Sequence, residues 1–384
     1  MRIGIDIKCL RTNNSGIGRY TRNILDALQK IDNTNDYVLF SPSPIDYALN
    51  NPRWRSVVAS TKLPGILWQQ QVLPGILKQE KIDLIWGPEQ TIPVKGLGKI
   101  KSVLTVHDFV YKRFPKTMRK SVLWINKAFG SRSIKKASAI VPVSDFTQSE
   151  LFHFYPKIDR EKVVVVNCGV NGEKHFGEDC IKNYGENCAG ENSISATIRK
   201  KQLLFVGSLE PRKNLPTLIH ALEILKHKGV VVPLVLTGPK GWKNKNFKTL
   251  MQCTSVADQI CHKGYVSDQE LSELYKESAA VVFPSVYEGF GLPALEALSR
   301  NTPVLTSKGS VMETVLGDCG WYFDATSAKS IASAVENFWS GLDHEGFAKV
   351  SMDFEDKRQT LLARYTWENS ARKLMGVFWK VCHG

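Results

Sequence analysis

Two carboxylates frame a glycine-rich turn in the segment Glu288-Gly-Phe-Gly-Leu-Pro-Ala-Leu-Glu296. The apolar run at residues 279–284 predicts a strand before this turn, and Pro293 suits the first residue of a following helix. Gly289 and Gly291 let backbone N–H groups approach a ligand, and a helix start favours phosphate. The spacing alone permits two interpretations: a site that grips a nucleotide sugar at its ribose and its sugar, or a capped surface helix with two solvated glutamates.

The same segment carries a resemblance to a known family. E-G-F-G-L-P-x-L-E resembles the pattern of the retaining family 4 glycosyltransferases, which have the GT-B fold. Three further segments resemble this family in the expected order: Gly16-Ile-Gly18, Val206-Gly-Ser-Leu-Glu-Pro-Arg-Lys-Asn214 and Gly264-Tyr-Val-Ser267. The resemblance extends over nearly the whole chain. It implies an α/β architecture in which two Rossmann-like domains face each other across a cleft with their parallel sheets.

The resemblance places the donor mainly on the C-terminal domain. It implies that Glu288 contacts the transferred sugar and that Glu296 accepts hydrogen bonds from the ribose hydroxyls. Arg212 and Lys213 are expected to be exposed to the cleft and to bind the diphosphate. Many family members carry an arginine where this chain has Ser208, and we infer that Arg212 supplies that charge. The remaining donor-binding candidates lie at glycine-rich turns or strand ends: Gly16, Gly18, Ser208, Val266, Gly289, Phe290, Gly291 and Leu292.

His107 and Asp108 follow the predicted strand 101–106, at the edge where α/β sheets bind ligands. Residue type alone favours a structural histidine, whereas the resemblance implies that His107 reaches the donor sugar as a catalytic residue. Asp108 either orients His107 or contacts the acceptor. Arg19 is expected to steer anionic groups on the acceptor side.

Basic residues are concentrated in one part of the chain, whose formal net charge is +14. Between Lys95 and Lys136, twelve basic residues are opposed by Asp108 alone, and Trp124 and Phe129 are interleaved with them. Such a stretch suits an anionic membrane surface, a solvated helix face, or nucleic acid. We favour the membrane surface for residues 112–136, and we expect no nucleic-acid partner because no recognised motif is present.

Composition and length describe an ordinary globular protein of 384 residues. No apolar run approaches the roughly 18 residues that a membrane span needs, and the N-terminus is too short and too acidic for a signal peptide. Eight cysteines form no C-x-x-C pair, which indicates reduced thiols in a cytoplasmic protein. The basic segment adds a peripheral location on the inner face of the cytoplasmic membrane as an expectation. No D-x-D cluster is placed to hold a metal, so neither metal nor cofactor is expected.

Strand–helix alternation predicts two parallel sheets. We expect an N-terminal domain at residues 1–171, a linker at 172–200, a C-terminal domain at 201–364, and a helix at 365–384 that crosses back onto the first domain. The predicted strands are 2–7, 37–41, 84–86, 101–106, 139–143, 162–167, 202–206, 233–237, 279–283 and 303–306. The predicted helices include 20–30, 215–228 and one capped by Ser144.

The segments I-G-I-D, G-I-G-R-Y and E-P-R-K-N look most like those of bacterial mannosyltransferases of polysaccharide or lipopolysaccharide assembly. The resemblance therefore implies transfer of mannose from GDP-mannose to a glycan or lipid-linked glycan, with the active site between the domains. Two alternatives stay open at this stage. The donor is a UDP- or dTDP-sugar, or the chain is a non-catalytic glycan- or lipid-binding protein on the same fold.

Overall fold

A computed structural model describes residues 1–11, 16–170, 200–239, 245–342 and 355–384. The chain divides into two compact units: residues 1–169 with 365–384, and residues 170–364. The linker expected at 172–200 lies outside the described residues, apart from Lys200, which begins a strand.

Within the described residues of the first unit, six parallel strands form one sheet in the order β3-β2-β1-β4-β5-β6. The inner strands are buried along their length, as a parallel sheet covered on both faces requires. The strands are β1 (Arg2–Asp6), β2 (Asp36–Ser41), β3 (Trp54–Val58), β4 (Leu84–Gly87), β5 (Lys101–Val106) and β6 (Ala139–Pro142).

Helices cover this sheet. The α-helices are α1 (Gly16–Ile31), α2 (Gly65–Leu67), α3 (Leu73–Gln79), α4 (Val110–Arg113), α5 (Lys120–Ile125), α6 (Ser131–Lys136), α7 (Asp145–Phe154) and the C-terminal helix (Trp367–His383). Wider π-helical turns at Trp68–Val72 and Asn126–Gly130 join α2 to α3 and α5 to α6. Ser144 caps α7 as expected, because its Oγ accepts a hydrogen bond from the Thr147 N–H at 3.0 Å.

The C-terminal helix packs on the first unit. Its Trp367 ring contacts Tyr20 of α1, and its Phe378 ring lies 6.1 Å from that of Trp86 in β4. The Ser370 hydroxyl donates to the carbonyl of Asn167 at 2.7 Å. The last segment of the chain therefore completes the core of the unit that holds the first strand.

The second unit repeats the architecture. Its described strands form a six-stranded parallel sheet in the order β12-β11-β10-β7-β8-β9. The strands are β7 (Lys200–Val206), β8 (Leu234–Thr237), β9 (Ile260–Gly264), β10 (Ser278–Phe283), β11 (Val304–Ser307) and β12 (Gly320–Phe323). The helices are α8 (Leu215–His227), α9 (Lys245–Cys253), α10 (Asp268–Glu277), α11 (Leu292–Ser299), α12 (Val311–Leu316) and α13 (Ala328–Ser340), and residues 355–364 are also helical.

Three sequence-based assignments differ from the structure. The edge strands β3 and β12 were not predicted, because Trp54–Val58 carries exposed polar positions and Gly320–Phe323 is short and half-buried. The expected strand at 162–167 makes two backbone hydrogen bonds to β6, from Val164 and Val166, before it turns toward the C-terminal helix. Helix α1 begins at Gly16, so Gly16 and Gly18 lie in its first turn and not in a preceding loop.

Candidate functional site

The second unit brings two loops together at the carboxyl edge of its sheet. The chain runs from β7 through β8 to β9 on one side, and then returns to β10 on the other side of β7. Ligands of doubly wound sheets bind at such a reversal, outside the carboxyl ends of the two strands. The loops that follow β7 and β10 contain Arg212, Lys213 and Glu288.

These three side chains form one buried ion network. Lys213 Nζ donates to Glu288 Oε1 at 2.5 Å, and Arg212 Nη1 donates to Glu288 Oε2 at 2.8 Å. Arg212 Nε also donates to Glu210 Oε2 at 3.0 Å. Lys213 is 7% exposed and Glu288 9%. The expectation of an exposed cation is therefore wrong for Lys213, whereas the side chain of Arg212 is 18% exposed. Glu288, the carboxylate expected at the sugar, pairs with both cations.

Burial and charge act in opposite directions on the two partners. Burial works to raise the pKa of Glu288, but Lys213 and Arg212 more than offset this and lower the pKa to about 2. Burial lowers the pKa of Lys213, and the attraction of Glu288 compensates only in part. Glu288 is thus fully ionised at neutral pH, in a position where its charge is costly unless it keeps its partners.

Local backbone geometry fixes the network. Pro211–Lys213 form a single 3₁₀ turn, which ends at Asn214 in the left-handed conformation (φ 56°). The N–H of Val286 donates to the carbonyl of Arg212 at 3.0 Å, so the two loops are joined through their backbones as well. Gly207 has φ of 150°, a backbone conformation that favours glycine.

The glycine-rich turn leads into α11 as predicted. Gly291 is the N-cap residue of α11, with φ of 94°, and a methyl group there would lie 2.4 Å from the sulfur of Met312. Both conditions require glycine. Pro293 stands at the second helical position, one residue later than predicted, where its N–H would also have no partner within the helix. This turn places Gly289, Phe290 and Leu292 beside Glu288 at the start of the helix.

Glu296 lies one turn into α11 and is held by a residue that sequence reasoning missed. The hydroxyl of Tyr275 donates to Glu296 Oε2 at 3.1 Å and to the carbonyl of Pro293 at 3.3 Å. Tyr275 is buried in α10 and occupies an ordinary apolar position of that helix. Its spacing of 21 residues from Glu296 gives no local signal, so only the packing of α10 against α11 reveals the contact.

The loop after β9 lies at the same carboxyl edge of the second sheet. Gly264 has φ of 72°, and the following Tyr265 is 60% exposed. Val266 is half-buried, and Ser267 caps α10 by accepting from the N–H of Glu270. Ser208 follows β7 by two residues and is also half-buried. Val266 and Ser208 therefore lie on loops at the same edge of the second sheet as the ion network.

In the first unit, His107 follows β5 as expected. Its Nε2 lies 2.6 Å from the carbonyl oxygen of Pro88. Because a carbonyl only accepts, Nε2 carries the proton and Nδ1 is a hydrogen-bond acceptor. Burial lowers the pKa of His107 and outweighs the opposing effect of the Pro88 carbonyl, so the ring is neutral at pH 7. Tyr20 packs edge-on against the ring at 4.9 Å.

The other candidates of the first unit lie beside His107 in the chain or at the start of α1. Asp108 Oδ1 accepts from the N–H of Val110 at 3.1 Å and thereby fixes the turn before α4. Arg19 is half-buried in α1, in the same helical turn as Gly16 and Gly18. Within the described ranges, no group of three or more His, Cys, Asp and Glu residues is arranged to hold a metal ion. Independence from metals and cofactors stays a prediction.

Two family models match this chain, one in each half of the sequence. Residues 14–174 match the family described as Glycosyltransferase Family 4, and residues 192–345 match Glycosyl transferases group 1. The chain is a glycosyltransferase. It is 28% identical over 294 residues to O-antigen chain mannosyltransferase B of Escherichia coli, which covers 72% of this chain and 70% of that protein. It is 24% identical over 345 residues to O-antigen chain mannosyltransferase RfbU of Salmonella typhimurium, with coverage of 87% and 90%.

Solved structures show that this glycosyltransferase has the GT-B fold. WaaG, a glycosyltransferase involved in lipopolysaccharide biosynthesis, aligns over 100% of both chains with a TM-score of 0.70 at 14% identity. HepE of Anabaena, solved in complex with UDP-glucose, aligns over 99% of this chain and 100% of its own with a TM-score of 0.69 at 15% identity. The α/β fold predicted from sequence is confirmed.

The basic segment 112–136 of the glycosyltransferase is largely exposed. Its helix α5 buries none of its residues, and Trp124 is 59% exposed with its ring edge-on to Phe129. Arg113 forms two hydrogen bonds to Glu150 of α7, and its side chain is 43% exposed. In the described part of the chain, no helix has both the length and the apolar character needed to cross a bilayer.

Proposed function

We propose that this glycosyltransferase moves mannose, with retention of configuration, from GDP-mannose to a glycan or lipid-linked glycan in cell-surface polysaccharide synthesis. The observation that carries the proposal is the network of Glu288 with Arg212 and Lys213 at the strand reversal of the second unit. It provides two cations for a diphosphate and a carboxylate for sugar hydroxyls within one hydrogen-bonded group. The names of the E. coli and Salmonella relatives support mannose and a glycan acceptor.

The residues divide between the two ends of the donor. Arg212 and Lys213 bind the diphosphate, assisted by the partial positive charge at the start of α11. Glu296, positioned by Tyr275, accepts from the ribose hydroxyls. Glu288 exchanges its two cations for the hydroxyls of the transferred sugar when the diphosphate enters. The backbone near Val266 borders the base.

The transfer itself needs no covalent intermediate. The bond between the anomeric carbon and the diphosphate oxygen breaks, and its electron pair stays on that oxygen. The acceptor oxygen attacks the same face, its proton passes to the departing phosphate oxygen, and the nucleoside diphosphate leaves. Arg212 and Lys213 stabilise the negative charge that develops on the phosphate. His107, whose Nδ1 is an acceptor, binds a hydroxyl of the donor sugar.

The acceptor is proposed to bind the first unit, with Arg19 and Asp108 as candidate contacts. The exposed segment 112–136 supports docking on an anionic membrane surface, where each basic residue contributes about 1 kcal/mol. Trp124 adds apolar contact there. This arrangement would present a lipid-linked acceptor to the enzyme at the membrane surface.

The donor is tested by a thermal-shift screen of nucleotide sugars and their free nucleoside diphosphates. GDP-mannose and GDP should raise the unfolding temperature, because a ligand that binds the folded state stabilises it. If UDP-glucose or a dTDP-sugar raises the unfolding temperature and GDP-mannose does not, that sugar nucleotide is the donor. The complex of HepE with UDP-glucose supports a UDP-sugar as the alternative. Hydrolysis of the identified donor in the absence of an acceptor then distinguishes catalysis from binding alone.

A further inference from the structure

A second buried ion network lies in the first unit, and the proposed donor site does not use it. Lys8 Nζ is 2.8 Å from Asp6 Oδ2 and 2.5 Å from Glu89 Oε2. Asp6 is the last residue of β1, and Glu89 follows the end of β4 by two residues. One ammonium group therefore joins two carboxylates that are distant in sequence.

The network occupies the strand reversal of the first sheet. From β1 the chain runs outward to β2 and β3, and it then returns to β4 on the other side of β1. The crevice outside the carboxyl ends of β1 and β4 is where such sheets bind ligands. Gly87 fixes the turn that carries Glu89, since a side chain there would lie 2.6 Å from Ile92 and 2.8 Å from the Thr91 carbonyl.

The two carboxylates are not equivalent. Asp6 is 1% exposed, and its oxygens accept from the Lys8 backbone N–H at 3.1 Å, from Lys8 Nζ and from Gln69 Nε2 at 2.6 Å. The side chain of Glu89 is 26% exposed. The Oε2 atom of Glu89 pairs with Lys8 Nζ. Asp6 is thus enclosed with Lys8, whereas Glu89 is the carboxylate of the network that reaches the surface.

The charge of the network selects the kind of ligand. Burial lowers the pKa of Lys8, but Asp6 and Glu89 more than offset this and raise it, so the ammonium stays charged. One positive charge against two negative charges leaves an excess of one negative charge. Such a site repels phosphate and attracts hydrogen-bond donors, and sugar hydroxyls are the donors that the proposed function supplies.

We propose that Glu89 binds a hydroxyl of the acceptor saccharide, with Lys8 and Asp6 as positioning residues. This assignment rests on the proposed function, because it gives the first unit the neutral polyhydroxylated substrate of glycosyl transfer. A carboxylate of the first unit would then bind the saccharide that accepts the transferred sugar, and cations of the second unit would bind the diphosphate of the donor.

The test compares Glu89→Gln with Glu80→Gln in the full chain. Glu80 pairs with Arg55 on the surface of the same unit, so Glu80→Gln changes the same atoms at a site without this role. Saturation-transfer NMR measures binding of methyl α-D-mannopyranoside. Turnover of GDP-mannose and of UDP-glucose is measured twice, as hydrolysis without the mannoside and as transfer to the mannoside. Glu89→Gln should abolish the NMR signal and raise the KM for the mannoside about tenfold or more.

Donor hydrolysis and donor KM should stay within about twofold of the wild type in Glu89→Gln, which a general loss of structure would not allow. Lys8→Met should reproduce the effect on the mannoside KM, because Glu89 then loses its support. Equal loss of hydrolysis and transfer, unchanged saccharide binding in Glu89→Gln, or a wild type that binds no mannoside would overturn the assignment. Absence of donor binding and hydrolysis in the wild type would instead contradict the proposed function.

Discussion

Lys213 and Glu288, which are 75 residues apart in sequence, form a 2.5 Å ion pair at the carboxyl edge of the second sheet. The pair joins the residue expected at the diphosphate to the residue expected at the sugar. In this arrangement Glu288 competes with any phosphate for Lys213 and also for Arg212. Both cations that we propose for the diphosphate are therefore paired with one carboxylate of the protein.

Glu288→Gln should bind GDP or UDP about tenfold more tightly than the wild type, which corresponds to about 1.4 kcal/mol. The neutral amide competes less with the diphosphate for the two cations. Turnover of the nucleotide sugar should fall at the same time, because the contact to the sugar is weakened. Isothermal titration gives the affinity, and Glu277→Gln, at a surface ion pair with Lys200, is the matched control. Weaker or unchanged affinity for the nucleoside diphosphate in Glu288→Gln would contradict the competition.

Lys213→Ala should lower the free energy of unfolding by roughly 3–5 kcal/mol, since it leaves the buried carboxylate of Glu288 without its nearest partner. The double variant Lys213→Ala with Glu288→Gln should recover part of this loss. Urea denaturation measures both variants. A single variant as stable as the wild type would show that the pair adds nothing to the fold. Arg212→Ala, whose side chain is less buried, is the better variant for measuring the loss of turnover.

The ion network also predicts a pH dependence. The pKa of Glu288 is lowered to about 2 in the folded protein, from about 4.3 in an unfolded chain. The stability that Glu288 contributes is therefore fully present above about pH 4.3 and is lost as the pH falls toward 2. The difference in unfolding free energy between the wild type and Glu288→Gln should be constant from pH 7 to 5 and shrink below pH 4. A difference that stays constant down to pH 3 would count against the lowered pKa.

Glu296→Ala should weaken binding of the nucleoside diphosphate and of the nucleotide sugar alike, because both contain the ribose. The expected loss is about 1.5–3 kcal/mol, as for a hydrogen bond to a charged group. Tyr275→Phe should reduce both affinities by a smaller factor, since it removes the hydroxyl that positions Glu296. Titration calorimetry decides the matter: equal affinity of Glu296→Ala and wild type for the free nucleoside diphosphate would reject the ribose contact.

The protein should cosediment with anionic vesicles at low salt, because the segment 112–136 binds their surface. Replacement of Arg119, Lys120 and Lys127 by glutamate should abolish this cosedimentation without changing nucleotide affinity, because the proposed donor site belongs to the other unit. Salt should release the wild type progressively, given a Debye length of roughly 8 Å at physiological ionic strength. Trp124→Ala should lower the salt concentration needed for release. Wild-type protein that stays in the supernatant at low salt would favour a solvated helix face.

The sequence by itself determined the elements that local chemistry specifies. Apolar runs gave the central strands, since residues buried on both faces of a parallel sheet leave a continuous signal. The turn at Gly291 and Pro293 was readable because the left-handed backbone and the helix start each demand a particular residue. The resemblance then identified the family, which the comparisons confirmed.

The tertiary structure decided which charges meet. Nothing near Lys213 in sequence shows that Glu288 neutralises it, or that Tyr275 holds Glu296. The sequence also does not predict that Glu89 meets Asp6 and Lys8. These residues lie at or just after the ends of β1 and β4, which are neighbours in the sheet but come from separate parts of the chain. Residue types set what each side chain can do, but crossover connections bring the partners together, and burial fixes the strength of their interaction.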